Sequence, residues 1–144
     1  ITGRKKEMLV TAGGKNVAPA PIEDPLRAHP LIGQVVVIGD SKPFISALIS
    51  LDPDMVMVWA KNNGIEEKLT LAEATKHPTV IAEIQESVNE INKLFSKAEQ
   101  VRSFEILDVE LTEASGHLTP SLKIKRSKVM ADFDLQVGRI YASA

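Results

Sequence analysis

Gln34-Val35-Val36-Val37-Ile38, Gly39-Asp40-Ser41-Lys42-Pro43 and Phe44-Ile45-Ser46-Ala47-Leu48-Ile49-Ser50-Leu51 are three consecutive stretches whose reading decides the fold. Two β-rich runs flank a Gly/Asp/Ser/Pro turn, which predicts an antiparallel strand pair. On the C-terminal side, Asp52-Pro53 is an N-cap followed by proline at the first helical position. It opens a helix of about ten residues that carries Val56, Trp59 and Ala60 on one side and ends near Asn62-Asn63-Gly64. Thr70 with Glu73 forms a capping-box pattern for a short helix that stops before Pro78. Residues 79–99 hold the clearest helical pattern, with Ile81, Ile84, Val88, Ile91, Phe95 and Ala98 spaced by three and four. Phe104 to Leu111 reads as a third main strand. Val129 or Met130, Phe133, Val137, Ile140 and Tyr141 predict a final helix with Gly138 as its weak point.

On the N-terminal side, Met8 to Thr11 reads as a strand, Gly13-Gly14 as a turn and Val17 as the return, which makes a hairpin. A helix from Pro19 or Ala20 to Ala28 follows, with Ile22 and Leu26 on one face and Pro25 inside it. The expected architecture is α+β: an antiparallel sheet of about three strands, an N-terminal β-hairpin, and helices packed on the sheet.

The 144 residues are 44% apolar, so a compact fold would bury about two-thirds of its extended surface, enough for one core. Lys+Arg number 17 against 19 Asp+Glu, a formal net charge of -2, which argues against nucleic-acid binding by bulk charge. Without cysteine there is no disulfide, thiolate metal site or Cys nucleophile. His29, His77 and His117 are too far apart to show a metal-ligand spacing. No apolar run approaches the roughly 20 residues of a membrane span. Ile1 enters a charged segment with no initiator Met, which reads as a fragment of something longer.

Two segments are polar beyond what a core requires. Gly3 to Lys15 carries Arg4, Lys5, Lys6, Gly13, Gly14 and Lys15; Thr119 to Lys128 carries Lys123, Lys125, Arg126 and Lys128 with no acid. A solvated face would use such residues. So would an anion site, in which lysine delivers a point charge and arginine forks onto paired oxygens. There is no phosphate loop of the GxxxxGK[ST] type, no dinucleotide fingerprint and no GxSxG elbow, so any ATP site is of another kind or is completed by another domain. Asp52, Asp54, Asp108 and Asp132 lack a second carboxylate at a convincing spacing for acid/base work. His117 is expected to be a satisfied or exposed loop histidine, and Trp59 a core residue.

GRKKEMLVTAGGKNVAPAPIE at residues 3–23 resembles the hinge and following loop of the adenylate-forming superfamily. With LTPSLKIKR at 118–126, the wording is similar to the long-chain fatty acyl-CoA ligases, and the likeness runs in order along the whole chain. The resemblance implies that residues 1–144 are the mobile C-terminal lid, beginning at a hinge in 1–7, of an enzyme whose large N-terminal domain is absent from this chain. It implies two half-reactions: fatty acid and ATP give acyl-adenylate and pyrophosphate, and CoA then gives acyl-CoA and AMP. The lid alone is expected to be inactive.

Matched by position, Arg4 falls on the arginine that contacts the ribose, and Lys6 on the hinge. Gly14 falls on the glycine of the thioester-forming loop, beside Gly13, Lys15 and Asn16. Lys123 falls on the adenylation lysine, while Arg126 and Lys128 support the fold or the CoA phosphates. Mg2+ would be held by the ATP phosphates and the missing domain. The full enzyme is expected in the cytoplasm, with peripheral membrane association allowed, and no nucleic-acid partner. A lysine stands at the hinge where many relatives have aspartate. Ser-Leu precedes Lys123 where many have Thr-Gly, as in the long-chain branch. The stretch 64–102 is longer than a minimal lid needs. Two alternatives stay open: a free-standing module binding a phosphate ligand or a partner, and the lid of a related aryl- or acyl-adenylating enzyme.

Overall fold

A computed structural model describes residues 8–65, 70–121 and 123–142. The chain opens with the two-stranded hairpin β1 (Leu9–Val10) and β2 (Asn16–Val17), paired antiparallel. Helix α1 (Ala20–Arg27) turns Ile22, Glu23 and Leu26 inward. Pro25 sits inside it at modest cost, because its missing N–H affects only the carbonyl of exposed Pro21 one turn back.

Strand β3 (Ile32–Ile38) pairs antiparallel with β4 (Ser46–Leu51), Val36 opposite Leu48, as the decisive stretch predicts. Helix α2 (Pro53–Asn62) starts on Asp52, whose carboxylate accepts from the N–H groups of Asp54 at 3.0 Å and Met55 at 3.3 Å. It ends in a Schellman turn, where the Ile65 N–H donates to Ala60 O at 2.9 Å and Gly64 adopts φ +73°. Helix α3 (Leu71–Lys76) has the full capping box between Thr70 and Glu73. Glu73's carboxyl is held below its ordinary value by the Thr70 backbone N–H.

Helix α4 (Pro78–Asn92) buries Val80, Ile84 and Val88 but stops earlier than the apolar spacing through residue 99 predicts. Asn92 is the reason. Its side chain brackets Val101, donating to the carbonyl at 2.9 Å and accepting from the N–H at 2.8 Å, while Gln100 donates to the carbonyls of Asn92 and Phe95. These side-chain bonds replace the next helical turn, and a short 3-10 turn (Lys97–Glu99) follows.

Strand β5 (Ser103–Leu107) lies beside β4 and runs parallel to it, Ile49 opposite Ile106. The sheet is therefore mixed, in the order β3-β4-β5, which corrects the all-antiparallel expectation. Three helices separate β4 from β5, and a crossover of that kind returns the chain to the same end of the sheet. The last predicted helix is two: α5 (Arg126–Asp132) and α6 (Asp134–Ala142), broken at Phe133 (φ -112°, ψ 33°) rather than at Gly138. Phe133 leaves helical geometry so that its ring and Val137, Ile140 reach the same apolar cluster from a new axis.

All six residues of β4 are buried, which marks it as the central strand. Alternate β3 residues serve opposite faces. Val35 and Val37 join Val17, Ile22, Leu26, Ile84 and Val88; Val36 and Ile38 join Leu107, Val129, Phe133 and Ile140. Helices thus cover both faces of the sheet. Among the described residues no helix is long and apolar enough to cross a membrane.

Candidate functional site

The described residues of the two polar segments form two separate loops. The first is the turn of the hairpin. Gly14 N–H donates to Thr11 O at 2.9 Å and Thr11 N–H to Lys15 O at 3.0 Å, closing the turn with Gly14 at φ +84°. A side chain at Gly14 would be strained whatever the space, whereas Gly13 has neither a positive φ nor a neighbour within 4 Å of a built Cβ. Lys15 and Asn16 are exposed, Asn16 pairing opposite Val10. The hairpin is stitched to the β3–β4 turn: Val10 N–H donates to the Asp40 carboxylate at 3.0 Å, Ser41 N–H to Val10 O at 2.8 Å and Ala12 N–H to Lys42 O at 2.9 Å. Arg4, Lys5, Lys6 and the hinge 1–7 lie outside the described residues.

The second loop runs from His117 to Lys125. Leu118 bridges Ile124, Thr119 N–H donates to Lys123 O at 2.8 Å, and Lys125 N–H to His117 O at 2.8 Å. Lys123 N–H donates to Thr119 Oγ1 at 3.0 Å, and Thr119 Oγ1 lies 3.0 Å from Ser121 Oγ. The backbone around Lys123 is thereby fixed, while its side chain is exposed and its ammonium has no hydrogen bond or ion pair among the described residues. A fixed stem with an unused charge suits contact with an anion. No hydrogen bond or ion pair among the described residues joins this loop to the glycine turn.

Both flanks of the lysine loop are anchored by polar side chains, Arg126 and His117, whose pairing with Glu23 and Asp132 the sequence does not show. Arg126 donates to Glu23 Oε2 at 2.9 Å and to Val37 O at 2.6 Å, and the same Glu23 oxygen accepts from Val37 N–H at 2.8 Å. Arg126 therefore supports the fold. On the other flank His117, 6% exposed, lies with Nε2 2.7 Å from the Asp132 carboxylate and Nδ1 2.7 Å from Ser115 Oγ. This is the satisfied loop histidine expected above. The hydrogen bond from His117, aided by Lys128 at 3.2 Å, holds the Asp132 carboxyl below the usual carboxylate range.

A cleft of about 550 Å³ opens beside the glycine turn, lined by Thr11, Phe44, Gln85, Asn89, Lys97 and Arg102 among others. Arg102 lies 5.5 Å from the centre of the Phe44 ring. Neither Lys97 nor Arg102 has an ion pair among the described residues, and no acid lines the cleft. No sequence signal pointed to it, since these cations stand far along the chain from the glycines and Lys97 was assigned to the long helix. Lys123 does not line this cleft. Among the described residues no group of three or more His, Asp or Glu side chains could hold a metal ion.

Long-chain-fatty-acid–CoA ligase FadD15 of Mycobacterium tuberculosis is 50% identical over 141 residues, covering 98% of this chain and 24% of that protein. Long-chain-fatty-acid–CoA ligase ACSBG2 of Xenopus laevis is 35% identical over an alignment covering 100% of this chain and 22% of its own. The chain thus spans about a quarter of the length of these curated relatives. Among solved structures, the adenylation domain of a carboxylate reductase from Mycobacterium chelonae superposes over 95% of this chain and 20% of its own with a TM-score of 0.72 at 23% identity, a likeness of fold. The family description AMP-binding enzyme C-terminal domain matches residues 6–144. Matched over nearly its whole length, the chain belongs to the family of C-terminal domains of AMP-binding enzymes.

Proposed function

We propose that this chain is the mobile C-terminal lid of an ATP-dependent long-chain fatty acid–CoA ligase, working against an N-terminal domain of the same protein. The observation that carries the reading is Lys123: an exposed ammonium with no hydrogen bond or ion pair among the described residues, on a loop closed by its own backbone. In the first half-reaction a carboxylate must approach the α-phosphate of ATP, and negative charge grows on phosphorus as pyrophosphate leaves. Unit charges 4 Å apart at an effective dielectric of 20 interact by about 4 kcal/mol, so a preplaced ammonium offsets much of that repulsion. Lys123 supplies it; Arg4 contacts the ribose and Lys6 serves as the pivot.

In the second half-reaction the turn Gly13-Gly14-Lys15-Asn16 faces the reacting centre, and its small residues let backbone line the path of the CoA thiol. Lys97 and Arg102 of the adjoining cleft, without an ion pair among the described residues, suit the phosphates of CoA. Among the described residues the two loops share no hydrogen bond or ion pair, which supports their use in turn, one per half-reaction, with rotation of the lid between them. Mg2+ accompanies the ATP phosphates, and no residue of this chain is assigned to it. The full-length enzyme works in the cytoplasm, at the membrane surface where its fatty acid partitions.

The test is product analysis of the full-length protein with a long-chain fatty acid, ATP and CoA. Acyl-CoA, AMP and pyrophosphate in equal amounts are expected. ADP and phosphate, or turnover confined to aryl acids, would contradict the reading.

A further inference from the structure

We propose that His117 is a positioning residue for Lys123, a role that rests on the reading of Lys123 as the adenylation lysine. The imidazole never touches the substrates. It acts through the loop. His117 O accepts the Lys125 N–H at 2.8 Å at the loop's neck, and Lys123 lies just inside that neck, itself bonded across to Thr119. The polar contacts of the His117 side chain lie outside the loop, one on α5 and one in the turn before it. Nε2 reaches Asp132 on α5 at 2.7 Å, Nδ1 reaches Ser115 at 2.7 Å, and the ring packs 5.4 Å from the Phe133 ring at the α5–α6 break. Ser115 is fixed in turn, accepting from Thr112 N–H at 3.0 Å with its hydroxyl 2.9 Å from Thr112 O.

The loop's own bonds fix its shape but not its direction. A closed loop can swing as a unit about its neck, and the anchors at the two flanks set the angle. Arg126 serves the C-terminal flank through Glu23 and Val37, and it starts α5, so it cannot swing with the loop. On the N-terminal flank the N–H groups of His117 and Leu118 both donate to Thr112 O at 3.1 Å, which ties the neck to the turn before it, while the His117 side chain supplies the bond that reaches α5. Transfer to a phosphorus centre is sensitive to placement, and a misplacement of about 1 Å can cost roughly 100-fold. Loss of the clasp therefore lowers the rate of the step Lys123 serves and leaves the step served by the glycine turn alone.

The experiment measures both half-reactions in the full-length enzyme: acyl-adenylate formation from fatty acid and ATP, and thioester formation from supplied acyl-adenylate and CoA. His117→Ala is expected to lower the maximal rate of adenylation by about 10- to 100-fold with KM for ATP within about threefold, and thioester formation within about twofold. His117→Gln, whose amide nitrogen can reach Asp132 as Nε2 does, is expected to recover adenylation to within about threefold of the parent; His117→Asn, too short for Asp132, is not. The Gln and Asn variants both fill the site, so their contrast decides the matter even if His117→Ala fails to fold. An equal loss in both half-reactions, unchanged adenylation in His117→Ala, or equal rates for Gln and Asn would overturn the role. Lys123→Ala, measured alongside, separates the two ideas. Should it leave adenylation intact, the reading of Lys123 fails; should it abolish adenylation while His117→Ala does nothing, only the positioning role fails.

Discussion

Glu23 and Arg126 are distant in sequence yet share a buried, hydrogen-bonded pair, with Glu23 4% exposed. Removing one partner strands a charge in the interior and leaves Val37 with an altered environment. Arg126→Met is therefore expected to destabilise the chain by about 3–5 kcal/mol, read from the shift in its urea unfolding midpoint; a loss under 1 kcal/mol would mean the pair is solvated. Glu23→Gln keeps an acceptor for the Val37 N–H and should cost less. The signal for Glu23 lies in its spacing. It stands three residues before Leu26 and so shares that residue's inward face. Arg126 had only its place in the LTPSLKIKR wording, which left it to the fold or to the CoA phosphates; the folded chain assigns it to the fold, while the charge of Lys123 stays in solvent. The glycine turn divides in the same way. Gly14→Ala should cost about 1–2 kcal/mol at φ +84°, while Gly13→Ala should fall within about 0.5 kcal/mol by the same measurement.

At the scale of elements, α5 and α6 show where sequence patterns mislead. The apolar spacing from Val129 to Tyr141 is nearly continuous, so the break at Phe133 is invisible to it; the glycine that looks weak, Gly138, sits within α6 with nothing within 4 Å of a built Cβ. Gly138→Ala should accordingly stabilise the chain by about 0.5–1 kcal/mol, raising its thermal midpoint; a fall would show that the space is needed. Asp132 ends α5 and ties it to the lysine loop. Its carboxyl is depressed below the ordinary 3.8, chiefly by the hydrogen bond from His117 and then by Lys128. The stability linked to it is complete above that value and is lost as pH falls through 3.8 toward the folded value. A comparison of thermal midpoints for the parent and Asp132→Asn should therefore show a gap at neutral pH that closes below about pH 4. A gap that widens in acid would reverse the assignment. The paired β3–β4 strands and the Asp52 and Thr70 caps were legible because their determinants are local. The direction of β5 and the end of α4 were not, because a three-helix crossover sets the first and the Asn92 side-chain clasp on Val101 the second, and neither leaves a mark on the apolar spacing.

For the whole molecule, the mixed sheet holds the glycine turn and the lysine loop on a common frame, with no hydrogen bond or ion pair between them among the described residues. That arrangement suits a lid that presents first one loop and then the other. Motif wording carried the family and the position of both loops in the sequence; it could not carry the anchoring of the lysine loop, which depends on Glu23 and Asp132, two acids that pair with its flanks only in the folded chain. The central claim is that Lys123 serves one half-reaction. Its most direct test is Lys123→Ala in the full-length protein, with acyl-adenylate formation and thioester formation from supplied adenylate timed separately. Adenylation is expected to fall by about 100- to 1,000-fold while thioester formation stays within about threefold; equal losses in the two steps would contradict that role for Lys123.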